Sequence, residues 1–414
     1  MTDYGPIKAA LLARPARHSL PQRLYNDDAV FDFDQKAIFH RSWILIGFEV
    51  EFAGPGSYQS LKIGGAPILV IRGKDGVLRG FHNTCRHRGA ELCAEGAGKA
   101  ARLVCPYHQW TYDLSGKLIF AGRMGEDFDA SAHGLAPIHV ETLEGTVYVC
   151  LSETPPDFAP YREAVGPMLA PHDFRNARIA HEATLVEKAN WKLVMENARE
   201  CYHCAGRHPE LAVTFPIYAK GNFESVSDHE AEFDRRMTEL GLPGAPVEDD
   251  WWQAARFPLN PGMVSMTMDG ARAVSKLMCR TGDGDIGSLR WALEPHSFCH
   301  STGDFTFMFT CIPVSTKETL VLGKWLVHKD AVEGVDYDFG NLVKLWDATN
   351  LEDRDLCELN QRGVDSPGYR PGPYSRVAES LVERFTSYYV AKALDYIAEV
   401  EAADHAPLAA LAAD

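Results

Sequence analysis

Cys85-Arg86-His87 and Cys105-Pro106-Tyr107-His108 each carry one thiol and one imidazole, and a 17-residue gap separates them. Loops at the tips of two facing hairpins would bring these four metal-binding groups around one centre. A structural zinc is the plainest occupant for such a set. A Cys₂His₂ zinc finger, however, groups its cysteines on one element and its histidines on another, whereas here each stretch is mixed. Mixed stretches suit a [2Fe-2S] cluster with chemically different ends. Two Cys then hold one iron and two His the other, and the neutral imidazoles raise the reduction potential above that of an all-Cys cluster.

Further along, ANWKLVMENARECYHCAGRHPEL places His203 and His208 with four residues between them. On a regular helix such positions lie about 140° apart, so one metal can take both imidazoles only where the helix is distorted, and Gly206 permits that. A two-histidine, one-carboxylate triad leaves open positions on Fe(II) for dioxygen and substrate, and needs one more acid from elsewhere in the chain. Glu200, three residues before His203, falls on nearly the same helical face and would accept a hydrogen bond from a liganding imidazole. Cys201 and Cys204 also stand beside histidines, which points to metals before bridges. Gly282-Asp283-Gly284-Asp285-Ile286-Gly287 fits a dinucleotide-binding string, but SLRWALEPHSF after it reads as a strand and no helix opens there. With no nicotinamide or flavin site, electrons must come from a separate protein.

The elements that position these groups follow from periodicity. Short β-rich runs fill the region from Trp43 to Leu151, with hairpins expected across Gly73–Gly76 and Ser115-Gly116. Pro155-Pro156 marks a boundary, after which the pattern becomes helical from about Ala183 around WKLVMENARECYH. Phe305–Ser315 and Leu320–Lys329 form a hairpin, and helices are expected over about Leu342–Gln361 and Ser380–Ala402. The fold class is α+β: a small all-β domain at 43–151, and a larger domain of 1–42 and 152–414 with an antiparallel sheet flanked by helices. The chain has 414 residues with 41 Lys+Arg and 57 Asp+Glu, a net charge of −16, which argues against nucleic acid as a partner and tolerates a cationic small substrate. No apolar run reaches the roughly 18 residues of a membrane span, and Pro6 and Arg14 interrupt any signal-peptide core, so a cytoplasmic enzyme is expected.

FHNTCRHRGAELC with LVCPYHQWTYDLSGKL resembles the Rieske domain of bacterial ring-hydroxylating and N-demethylating oxygenase α subunits. The similarity runs from LLARPARHSLPQRLY to the closing helices and is strongest toward the glycine betaine monooxygenase and stachydrine demethylase group. The resemblance implies a Rieske cluster on Cys85, His87, Cys105 and His108, with Cys93 lacking a partner for a loop-bridging disulfide. It also implies one mononuclear Fe(II) on His203, His208 and a carboxylate from an E-D-x-x-L-x-E-x-x-Q pattern, matched by Glu352, Asp353, Leu356, Glu358 and Gln361. Asp353 is the expected third ligand, with Asp355 the alternative. In such proteins the acid at the position of Glu200 links the mononuclear iron to the cluster of a neighbouring subunit in a ring-shaped homotrimer, and Glu there accompanies attack on quaternary amines. Electrons come from a separate NAD(P)H-dependent flavin/iron–sulfur reductase. Trp251, Trp252 and Phe257 fall where relatives line the substrate cavity, and their ring faces would suit a quaternary ammonium. The implied reaction is oxidative N-demethylation of glycine betaine to dimethylglycine and formaldehyde. Another betaine (stachydrine, carnitine), choline, or an aromatic ring are the alternative substrates, and a bare Rieske electron carrier or a zinc-stapled binding protein the alternative classes.

Overall fold

The computed structural model describes residues 3–216 and 227–410. The first strands in chain order are β1 (Ile44–Phe48), β2 (Ser57–Ile63), β3 (Ala66–Arg72), β4 (Leu78–His82) and β5 (Gly96–Lys99). β6 (Leu103–Val104), β7 (Thr111–Tyr112), β8 (Leu118–Phe120), β9 (Pro137–Leu143) and β10 (Thr146–Cys150) follow. They form one sheet in the order β1-β10-β9-β4-β3-β2-β5 and a small one in the order β6-β7-β8. Turn chemistry sets the registers. Gly64 and Gly65, with φ of +53° and +73°, take the left-handed conformation that a two-residue hairpin between β2 and β3 requires. Both hairpins expected from the sequence are present, β3 pairing with β4 and β7 with β8.

The second region is built on a sheet of β11 (Ala177–Glu187), β12 (Val247–Asp249), β13 (Trp252–Phe257), β14 (Ser288–Leu293), β15 (Ser297–Ser301), β16 (Phe305–Ser315) and β17 (Glu318–His328). Its order is β11-β17-β16-β15-β14-β13-β12, with every neighbouring pair antiparallel. Side chains alternate across it. Leu289, Trp291 and Leu293 join a core with Trp43, Tyr148 and Tyr161, while Ala292, Phe307 and Phe309 face the helical layer. That layer holds the helices Trp191–Asn197, Phe339–Val364 and Ser380–Ala410. Asp338 caps the second of these by accepting from Asn341 N–H at 2.8 Å, and Leu342, Leu345, Trp346, Thr349 and Asn350 form its buried stripe. N-terminal helices close the layer through Asp34, fully buried, which accepts from Lys192 Nζ, Trp191 Nε1 and Tyr389 Oη. No helix among the described residues is long and apolar enough to cross a membrane.

One expectation is corrected. Ala183–Glu187 belongs to strand β11, and the helix begins only at Trp191, where Asn190 accepts from Lys192 N–H, and stops at Asn197. A tertiary contact ends it. Arg199, 1% exposed, donates from Nη2 to Glu294 Oε2 (2.8 Å) and to the carbonyls of Leu293 and Ser297, so the β14–β15 turn pulls the chain out of helical register. Removing one partner of a buried ion pair strands the other charge. Arg199→Met is therefore expected to cost about 3–5 kcal/mol, read as a lower unfolding midpoint, and the double change Arg199→Met/Glu294→Leu to recover most of it.

Candidate metal centres and cavity

The two mixed loops are closed by matching backbone bonds. Cys85 N–H donates to Ala90 O and Cys105 N–H to Trp110 O, each at 2.8 Å, while Gly89 N–H and Gln109 N–H return to the carbonyls of Cys85 and Cys105. Both thiols are 2% exposed and free, and the imidazoles lie further out, His108 exposed. His87 stacks on the buried Trp110 with ring centroids 4.8 Å apart, and its Nδ1 stands 3.2 Å from Nδ1 of His108. Two buried thiols that do not bond each other, below two imidazoles presenting the same nitrogen to one point, fit the donor set of an asymmetric [2Fe-2S] cluster. Tyr112 Oη, 3.4 Å from Cys85 Sγ, also receives Arg86 N–H and steadies that loop.

The second set meets in the helical layer. His203 Nε2 and His208 Nε2 are 3.0 Å apart, and Asp353 Oδ1 lies 3.1 Å from the first and 3.0 Å from the second. Ligand atoms about 2.1 Å from an ion and at right angles to one another are about 3.0 Å apart, so the three atoms match one face of an octahedral ion. The far nitrogens are engaged too: His203 Nδ1–H donates to Glu200 Oε1 (2.5 Å) and His208 Nδ1–H to Glu352 Oε2 (2.6 Å). Both Nε2 lone pairs are thereby aimed at the shared point. The residues fit a mononuclear Fe(II) with open positions. Asp355 does not join them. It is exposed and paired with Arg354.

Local structure explains the convergence. Glu200, Cys201, Tyr202 and His203 lie in a turn rather than on a helix, so Glu200 reaches His203 through the chain reversal that Arg199 anchors. Asp353 and Glu352 ride on the Phe339–Val364 helix. Farther along that helix, Glu358 accepts from Lys188 N–H and Gln361 from Asn190 N–H, which docks it against the segment leading into the Trp191 helix. Cys201 and Cys204 are disulfide-bonded to each other, which corrects the expectation of metal-directed thiols there.

Beside the triad opens a cavity of about 380 Å³ lined by Phe215, Phe257, Phe298, His300 and Trp346. Phe257 faces it. Trp251 and Trp252 do not; their rings pack 5.2 and 5.7 Å from Tyr161 in the core on the other face of the sheet. Trp252 and Phe257 are an odd number of residues apart on β13, so a strand must send them to opposite faces. Sequence reasoning missed Glu352 as a hydrogen-bond partner and missed Phe215, Phe298 and Trp346 altogether. Glu352 carries a signal, an acid beside the ligand acid; the aromatics carry none that separates them from core.

An all-β domain that presents two Cys and two His, joined to an α+β domain holding two His and one Asp beside a ring-lined cavity, defines a two-centre iron oxygenase subunit. Residues 174–394 match the ring hydroxylating alpha subunit catalytic domain, and residues 42–127 the Rieske [2Fe-2S] domain. The chain belongs to this family of Rieske ring-hydroxylating oxygenase α subunits. It is 45% identical over 401 residues to a glycine betaine monooxygenase oxygenase subunit of Pseudomonas aeruginosa, covering 95% of this chain and 93% of that one. The corresponding protein of Chromohalobacter salexigens is 44% identical, with 92% and 86% covered. Among solved structures, a quaternary ammonium Rieske monooxygenase studied for carnitine oxidation superposes with a TM-score of 0.70 at 25% identity, over 94% of this chain and 98% of that one.

Two predictions come from this geometry. Burial alone would lower the His203 pKa, but the hydrogen bonds to Asp353 and Glu200 outweigh it and lift the value to about 9 in the metal-free protein. His203 then stabilises the apo fold fully below its ordinary 6.5, and that contribution is lost as pH rises through about 9. Metal must displace the same proton. The melting point of chelator-treated protein is expected to fall across this window while ferrous affinity rises, about tenfold per pH unit, with proton release visible by calorimetry in buffers of different ionisation enthalpy. Separately, Asp353→Ala is expected to lose mononuclear iron and keep the cluster spectrum, and Asp355→Ala to keep both, by metal analysis and electron paramagnetic resonance.

Proposed function

We propose that this chain is the terminal oxygenase that N-demethylates glycine betaine. The observation that carries the reading is the ring-lined cavity directly beside His203, His208 and Asp353. Ring faces attract a cation that has no N–H to donate, and the acids at the metal end add to that attraction. The glycine betaine monooxygenase relatives, which cover nearly all of the chain, support the same substrate.

Cys85, His87, Cys105 and His108 would hold the cluster, and His203, His208 and Asp353 the mononuclear iron. When bound, these groups supply single electrons and a site for activating dioxygen. The balance is glycine betaine + O₂ + 2 electrons + 2 protons giving the N-hydroxymethyl compound and water. The O–H group then loses its proton as the C–N bond breaks, the bonding pair goes to nitrogen, formaldehyde leaves, and the freed amine takes up a proton to give dimethylglycine. Within this scheme Glu200 holds the His203 Nδ1 proton and fixes the ring. It would also connect this centre to the cluster of an adjacent subunit in a homotrimer. A separate NAD(P)H-dependent flavin/iron–sulfur reductase supplies the electrons, in the cytoplasm.

Pre-reduced protein mixed with dioxygen and one candidate substrate tests the reading without a reductase. Formaldehyde and dimethylglycine are expected from glycine betaine, with lesser or no formaldehyde from stachydrine, choline or carnitine. A hydroxylated aromatic acid without formaldehyde from any amine would overturn it. Glu200→Gln is expected to retain both metals, yet form at least about tenfold less product in the same reaction time.

A further inference from the structure

Strand β14 reads Ser-Leu-Arg-Trp-Ala-Leu from 288 to 293, with one charge in an otherwise uncharged run. Leu289, Trp291 and Leu293 bury against the core on one face, so alternation turns Arg290 to the other, opposite Ala255 on β13 and His300 on β15. There it lines the cavity. Among the described residues its guanidinium makes no hydrogen bond and no ion pair; its recorded contact is the Phe298 ring, 5.8 Å away. The other arginine of the wall, Arg199, is bound to Glu294 and two carbonyls. Enclosure by protein, with Arg199 adding repulsion, lowers the Arg290 pKa to about 9, so it remains charged at neutral pH. His300, whose Nδ1 is engaged with Ser288 Oγ, is held neutral by burial.

The cavity wall therefore carries both signs of charge. Glu200 and Asp353 put acid beside His203 and His208, aromatic rings line the space, and Arg290 adds one cation with unused donors. Arg290 is only half-buried, and a partly desolvated guanidinium without a partner gains from one; its planar fork matches a carboxylate with two parallel hydrogen bonds. We propose that Arg290 anchors the carboxylate of a zwitterionic substrate, so that the quaternary nitrogen at the other end is turned among the rings toward His203, His208 and Asp353. This rests on the N-demethylation reading for the identity of the cationic end.

Three probes separate the two ends: glycine betaine, choline, which replaces the carboxylate by a hydroxymethyl group, and 3,3-dimethylbutanoate, which keeps the carboxylate and replaces nitrogen by carbon. Binding to wild-type, Arg290→Lys and Arg290→Met proteins with both metals loaded is measured by calorimetry, with KM alongside. Arg290→Met is expected to weaken both carboxylates by about 100-fold or more and choline by less than about threefold, with Arg290→Lys between. Its melting point is expected to stay level or rise, since an unpaired, half-buried charge has gone. Equal weakening of all three probes, unchanged carboxylate binding in Arg290→Met, or no binding of either carboxylate by wild type would each overturn the assignment. Absence of formaldehyde from glycine betaine, with 3,3-dimethylbutanoate still bound through Arg290, would refute demethylation and leave the anchor standing.

Discussion

Three carboxylates, Glu200, Glu352 and Asp353, converge on two imidazoles, and this excess of negative charge governs the helical layer. Like charges this close are tolerable only with a cation among them, whether protons on the rings or a metal at their shared point. Behind them Glu187, 1% exposed, is pushed up to about 8, first by burial and then by the charge of Asp353. The chain holds the set together by fixing each member from outside it. Asp353 and Glu352 sit on a long capped helix, which Glu358 and Gln361 bind to residues 188–190, and the buried Arg199–Glu294 pair sets the turn that carries Glu200 and His203.

The two centres are built for different traffic. In the all-β domain the thiols are buried and the imidazole edge faces outward, which suits an electron that must cross a protein surface. In the larger domain His208 is 1% exposed and the shared point opens into a ring-lined cavity, which suits chemistry on a small molecule held beside it. The sheet of the larger domain serves two purposes. One face packs the core that joins the two regions, and the other supplies Phe257, Arg290 and Phe298.

Much of this was legible in the sequence because it is local. Cys-x-His and Cys-x-x-His each fix two donors within four residues, the hairpins at Gly73–Gly76 and Ser115-Gly116 follow from turn chemistry, and the closing helices from their apolar spacing. What was not legible depends on tertiary partners. Periodicity carries the helix past Asn197 because it cannot register that Arg199 pairs with Glu294, nearly a hundred residues away. It starts the helix at Ala183 although the segment to Glu187 pairs with β17. The assignment of Trp252 to the cavity fails on strand parity, a rule available only once β13 is known to be a strand. Asp353 and Asp355 stand two apart on one helix, about 200° around it, and only the position of the helix decides which faces inward.

The ligand spacings also set an order of assembly. His87 and His108 are 21 residues apart, and with both cysteines they belong to loops of the first domain alone. His203 and Asp353 are separated by 150 residues and meet only after the second sheet has formed and the Phe339–Val364 helix has docked on it. A chain emerging from the ribosome thus presents both cysteines and both histidines of the first set while the second still lacks its carboxylates from the helix. Acquisition of a metal by His203, His208 and Asp353 would be tied to completion of the fold, so theirs is the last set to close.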